Sequence, residues 1–352
     1  MGAQEMMQEL RLEEFSGRMK ELFPEFSVDF GAFFSRIIQG QAGEAFRTLT
    51  GELMEGIGAE IGALRSLFLM LLLIGILSAV FSVVMQTFQN HQIADIAHFV
   101  AYLLTLYVVL RTFSQAAETA ELLLKRILVF VRLFVPTFML ALGLSAGTLT
   151  AAGCYQLILL LIYGVEQLLM SLGLPLVNIY MMLVVMNGIW EEERLGALVE
   201  LIQKGILSGL KFLLTCITGI GFLQSMVTPV LERLRIGTVS RALSAIPGLG
   251  GLAEGTAQLL LGSAVLMKNA LGVAGILFLT ALCIVPLLKL LAWGGILKLC
   301  AGLMGLTADK RLTGCVSRSG DAFLLLLRLV YTAGACFLIL FAVMIFLAGT
   351  VR

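Results

Sequence analysis

Residues 127–147 read ILVFVRLFVPTFMLALGLSAG, and this stretch decides the fold class. It is apolar on every side, carries one charge at Arg132, and has the length of roughly 20 residues that a helix needs to cross the ~30 Å hydrocarbon core of a bilayer. A helix apolar all round has to be buried in protein or lipid, whereas a surface helix keeps a polar face. The whole chain of 352 residues repeats the bias, with 59% hydrophobic and 13% charged residues and a mean hydropathy of +0.99. Soluble domains carry about 25% charged residues. So much apolar surface exceeds what one soluble core hides. The chain is therefore expected to be an all-α, polytopic integral membrane protein, not a soluble enzyme.

Comparable apolar runs occupy residues 66–87, 94–112, 155–171, 174–190, 205–227, 271–291 and 322–350, with a shorter piece at 293–306. Together they predict about seven to nine hydrophobic helices, some of them broken or re-entrant because they fall short of a full crossing. Basic residues gather at 111–126, 194–211 and 310–318. The positive-inside rule puts these three connections on the cytoplasmic side. Three apolar runs separate the first basic connection from the second, and three separate the second from the third if 293–306 is counted; an odd number of full crossings cannot return to the same side. Each half is thus expected to contain one run that enters and leaves on one face. Val135-Pro136 and Val285-Pro286 mark the candidates, because proline removes a helix hydrogen bond and favours a break. Arg132 and Lys289 stand beside these prolines at membrane depth, where ionisable groups are costly and are functional candidates by default. Glu166, in a neighbouring run, is placed to pair with Arg132. The pattern suggests a weak internal repeat with a broken helix in each half, as in secondary transporters. One function that follows is self-contained transport of a small solute at a midplane site built from Arg132, Pro136, Glu166, Pro286 and Lys289.

The remainder divides by composition. Residues 1–65 hold eleven acidic and six basic side chains. Apolar residues recur there at helical spacing, as in Phe30, Phe33, Phe34 and Ile37, so a small acidic amphipathic helical region is expected. Met1 to Phe23 lacks the continuous apolar core of a signal peptide. Residues 66–227 form the first transmembrane half, with an amphipathic, interface-lying helix over 190–204. Residues 228–352 form the second half, with a Pro-Gly hairpin over 245–272.

Catalytic chemistry is poorly represented. The chain has no H-E-x-x-H, Walker A or G-x-G-x-x-G sequence, so metalloprotease, ATPase and dinucleotide-binding activities lack their minimum groups. Gly143-Leu144-Ser145-Ala146-Gly147 matches G-x-S-x-G, but no strand precedes it and the only histidines are His91 and His98. An intramembrane serine protease would have to use one of them as base. The six cysteines form no C-x-x-C pair and sit in or beside apolar runs as small packing residues. No catalytic residue, metal or cofactor is expected, and the net charge of +1 gives no reason to expect a nucleic-acid partner.

The most distinctive stretch is Ala245-Ile246-Pro247-Gly248-Leu249-Gly250-Gly251, followed by a short apolar helix reaching Leu266-Met267-Lys268-Asn269-Ala270-Leu271-Gly272. Ile246-Pro247 with Gly250, the Leu-x-Lys-Asn-Ala-x-Gly run, Gly275, and Pro286-x-x-Lys289 with Lys298 beyond it resemble the stage III sporulation protein AE family of endospore-forming bacteria. Gly255, Gln258 and Leu259 stand where that family's pattern would carry acidic and threonine residues. The resemblance implies a non-enzymatic, multi-pass component of the channel or secretion complex that joins mother cell and forespore after engulfment. It implies residence in the mother-cell membrane surrounding the forespore. Its expected partners are the bilayer, the other membrane proteins of the stage III A operon with their ATPase, and, indirectly, the forespore stage II protein Q. Homo-oligomers are among the assemblies this allows. Pro247, Gly250, Lys268, Asn269 and Gly272 would then shape a hairpin at the pore or at subunit contacts.

Overall fold

The computed structural model describes residues 30–38, 40–41, 43–44, 62, 64–77, 80, 91–146, 148–189, 195–243, 250–305 and 310–347, with 16–17 and 47 besides. All of its regular elements among the described residues are helical. They are α1 (Phe30–Ile38), α2 (Leu64–Leu77), α3 (His91–Ala146), α4 (Thr148–Glu166), a π-helical segment (Gln167–Gly173), α5 (Leu174–Ile189), α6 (Gly196–Leu243), α7 (Gly250–Met304) and α8 (Lys310–Leu347).

Four helical segments among the described residues are long and apolar enough to cross a membrane: Phe99–Gly143, Ile158–Gly188, Val265–Met304 and Leu312–Val343. Of the run expected at 66–87, residues 66–77 fall in α2 and 78–79 and 81–87 lie outside the described residues; the run expected at 205–227 falls in α6, whose side chains from 220 on are not described.

Several separations expected from the sequence are absent because the helices continue through them. The basic stretch 111–126 is no connection but the middle of α3. Phe113, Ala116, Ala120, Leu123, Leu124 and Ile127 recur at helical spacing and are buried. One apolar stripe therefore carries the helix past its charges, which point outward, and Glu121 pairs with Lys125 one turn on at 2.6 Å. The helix breaks expected at Pro136 and Pro286 are likewise not formed; α3 and α7 run unbroken through both prolines. Each proline removes one backbone donor, and packing on both sides holds the rod: Phe134, Val135 and Phe138 are buried around Pro136, and Leu282 and Leu290 around Pro286. Residues 196–204 are the first turns of α6 rather than a separate interfacial helix. The short helix expected to end at Lys268 and Asn269 is part of the 55-residue α7, and Pro247 lies outside the described residues.

The runs 155–171 and 174–190 also join, through the π segment. Pro175 has no N–H, and its ring would strike the carbonyl of Ser171 in a regular α-helix. Widening the turn relieves this, and the Leu174 N–H reaches back five residues to the Leu169 carbonyl.

The long helices lie side by side. Along α7 and α8, Gly272 meets Ile345, Cys283 meets Gly334 and Gly294 meets Leu324, so the two run antiparallel. Helix α3 runs alongside α8 in the same direction, with Phe113 edge-on to Phe323 and Phe134 5.0 Å from Phe341 between ring centroids. The α4–π–α5 rod folds back along α3, so that the Tyr102 hydroxyl donates to the Val185 carbonyl at 3.1 Å. Helix α8 is central, packed against α3, α5, α6 and α7. Residues from Leu312 to Phe341 are buried on several of its faces, which explains its apolar circumference.

Helix α1 confirms the amphipathic spacing near the N-terminus. Phe33, Phe34 and Ile37 are buried, and the helix packs on α7. It ends in a Schellman motif: the Gly40 N–H bonds the Ile37 carbonyl and the Gln41 N–H the Arg36 carbonyl. Gly40 takes the required left-handed conformation, with φ of 78°.

Candidate functional site

Three groups of polar side chains among the described residues bear on function. The first is between α3 and α4, where the Arg132 guanidinium donates to the Glu166 carboxylate. Both remain partly exposed, with side chains 53% and 30% accessible. Beside them a recess of about 270 Å³ is lined by Arg132, Pro136, Tyr155, Leu159 and Tyr163. Because Pro136 lacks an N–H, the carbonyl four residues earlier, that of Arg132, loses its helical donor. The expected pairing of Arg132 with Glu166 beside Pro136 is therefore formed.

The second place is between α7 and α8. Lys298 Nζ donates to Asp321 Oδ2 at 2.7 Å and to Ser317 Oγ at 3.2 Å. A Cβ on Gly320 would stand 3.2 Å from the Lys298 Cγ, so this glycine provides the bed in which the lysine stem lies. Tyr180, fully buried on α5, is within electrostatic range of Asp321 and Arg318. Sequence reasoning noted Lys298 but missed Asp321, Ser317 and Gly320. The available signal was Asp321, an acid set at the head of the last apolar run.

The third place is on α7. Lys268 is 0% exposed, a lysine enclosed on an apolar helix, and Asn269 follows it with its Oδ1 buried. The glycines one and two turns on let α7 approach its neighbours. A Cβ on Gly272 would fall 2.2 Å from Ile345 Cγ1, and one on Gly275 would fall 2.6 Å from the Phe134 ring. Phe130, Phe134, Phe138, Phe278 and Phe341 pack around this face, all fully buried but for 2% or less. Gly250 is the first residue of α7.

Lys289 does not join Arg132 and Glu166. It stands 5.1 Å from the Trp293 ring centroid, one turn along α7. Phe130 packs on Phe278 and Phe134 on Gly275, so Lys289 lies about 19 Å further along the α7 axis than the Arg132 level, at 1.5 Å per residue. The single midplane site expected for a transporter is thus divided. Ser145 and the histidines of the G-x-S-x-G hypothesis lie at opposite ends of α3, too far apart to act on one another. Among the described residues no group of three or more His, Cys, Asp or Glu side chains is arranged to hold a metal ion.

Comparison with known proteins agrees with the motif on α7. The family model for Stage III sporulation protein AE matches residues 28–348. The Stage III sporulation protein AE of Bacillus subtilis (strain 168) is 23% identical over 235 residues, which cover 66% of this chain and 59% of that relative. The match thus spans less than two thirds of the relative's length. No solved structure matches the chain. The chain belongs to the stage III sporulation protein AE family.

Proposed function

We propose that this member of the stage III sporulation protein AE family is a non-enzymatic membrane subunit of the channel or secretion complex joining mother cell and forespore, required for forespore development after engulfment. It would reside in the mother-cell membrane around the forespore. Its partners would be the other stage III A membrane proteins, their ATPase and, indirectly, the stage II protein Q. The observation that carries this is the family match over residues 28–348, a range that includes the α7 motif with its enclosed lysine. A lysine enclosed in an apolar bundle is costly to bury.

We take the four long segments as crossings and add α2 and α6. The count of about seven to nine treats as separate what the fold joins into single rods. Each of α3 and α7 is about 80 Å long at 1.5 Å per residue, far more than the ~30 Å hydrocarbon thickness, so part of the bundle stands outside the bilayer.

The test is a pair of volume-conserving changes, Lys268→Met and Asn269→Leu, with membrane levels followed by immunoblot. Both proteins should accumulate while sporulation stops after engulfment. Normal spore yield from both would remove the α7 motif from the function.

A further inference from the structure

A second recess, of about 250 Å³, opens between α2, α3 and α7 and is lined by Ser66, Tyr107, Arg111, Gln115 and Trp293, among others. We propose that it holds the headgroup of an anionic glycerophospholipid, whose acyl chains lie along the exposed apolar faces of α2 and α3.

The chemistry of the lining is that of a phosphate-ester site. Arg111 presents forked donors suited to phosphate oxygens. Gln115 stands one turn further along the same face of α3, and Ser66 and Tyr107 add hydroxyls. None of the lining residues is acidic. Basic pockets between transmembrane helices select anionic headgroups in this way.

The surroundings favour a lipid over a soluble anion. Helix α2 runs alongside α7 in the same direction, since Ser66 shares the recess with Trp293 while Gly75 meets Met304. Because α3 is antiparallel to α7, α2 and α3 leave the recess along one course. Beyond Ser66 the exposed side chains of α2 are Leu69, Met70, Leu73, Ile76 and Leu77; on α3, from Tyr107 toward its start, they are Leu104, Leu103, Val100 and Phe99. Neither row holds a charge. From Arg111 to Phe99 the path is about 18 Å at 1.5 Å per residue, close to the length of one acyl chain. In the other direction α3 turns to its charged stretch, with Glu118 and Lys125 exposed. The exposed Tyr107 occupies the boundary, the level at which amphipathic aromatic rings settle between hydrocarbon and headgroups.

The two tryptophans of the chain allow a direct test. In the Trp190→Phe protein Trp293 is the sole indole. This protein is reconstituted in phosphatidylcholine nanodiscs, and Trp293 emission is followed as phosphatidylglycerol brominated near the glycerol end of its acyl chains is added. The same titration with brominated phosphatidylcholine is the reference. The expected result is quenching that reports enrichment of the anionic lipid on the order of fivefold, the preference one basic side chain confers at a membrane surface. Arg111→Gln should remove the excess and Arg111→Lys restore most of it, with helical content unchanged in both. Arg111 is exposed, so neither change disturbs the core. Free inorganic phosphate should leave the quenching as it is. Equal quenching by the two lipids overturns the assignment, as does an excess that survives Arg111→Gln. Displacement by inorganic phosphate assigns the recess to a soluble anion instead. Absence of quenching by either lipid, with Trp293 covered in a dimer, assigns this face to a second copy of the chain.

Discussion

The hairpin of α3 with α4–π–α5 and the hairpin of α7 with α8 use the same parts to opposite ends. Each opens with a long helix containing a Val-Pro pair and holds one ion pair between its arms. In the first, the pair Arg132–Glu166 stands at a partly open recess, Pro136 is exposed beside it, and the return arm is loosened by a π segment. In the second, Lys298 is bonded to both Asp321 and Ser317, its stem is packed on Gly320, and the return arm is the buried centre of the bundle. A polar group in an apolar bundle is thus placed either where it can reach a ligand or where its bonds are all made within the protein. The first hairpin has kept openness and the second has given it up for rigidity.

The largest expected effect is at the second hairpin's ion pair. Asp321→Ala leaves the Lys298 ammonium without its carboxylate in a partly buried site, and should cost about 2–3 kcal/mol of stability, read as a lowered unfolding midpoint in detergent. Glycine comes next. Gly275→Ala drives a methyl group into the enclosed Phe134 ring and should cost about 1–2 kcal/mol by overpacking. At the first hairpin, Glu166→Ala removes a pair exposed enough to be screened and should change stability by less than about 1 kcal/mol. An equal loss from Asp321→Ala and Glu166→Ala would erase the distinction between the hairpins. The smallest effect belongs to Gly295, which has nothing within 4 Å of a built Cβ. Gly295→Ala on the same helix should be neutral or stabilising by up to about 1 kcal/mol, because alanine reduces the freedom of the unfolded chain.

Some of this was legible in the sequence because it depends on local patterns. The burial of Phe33, Phe34 and Ile37 follows their spacing, and Arg132 with Glu166 could be paired from their runs alone. Gly272 and Gly275 could be singled out, although their reason, the approach of Ile345 and Phe134, needed the neighbouring helices. Other features were hidden by the way charge is read. The charges of residues 111–126 look like a connection when counted along the chain, but they occupy one face of a helix whose other face stays apolar. The π segment escaped because Gly173-Leu174-Pro175 reads equally well as a break between two spans. Asp321 was missed because its partner is on another helix, and no periodicity encodes such a contact.

The most direct test of the central claim is to purify the tagged chain from sporulating-cell membranes, identify what comes with it, and reconstitute it alone in liposomes. A channel-complex subunit predicts the stage III A membrane proteins and their ATPase in the purified material, and no solute movement by the chain alone. Purification without those partners, together with solute uptake by the chain alone, would contradict it and establish a self-contained transporter.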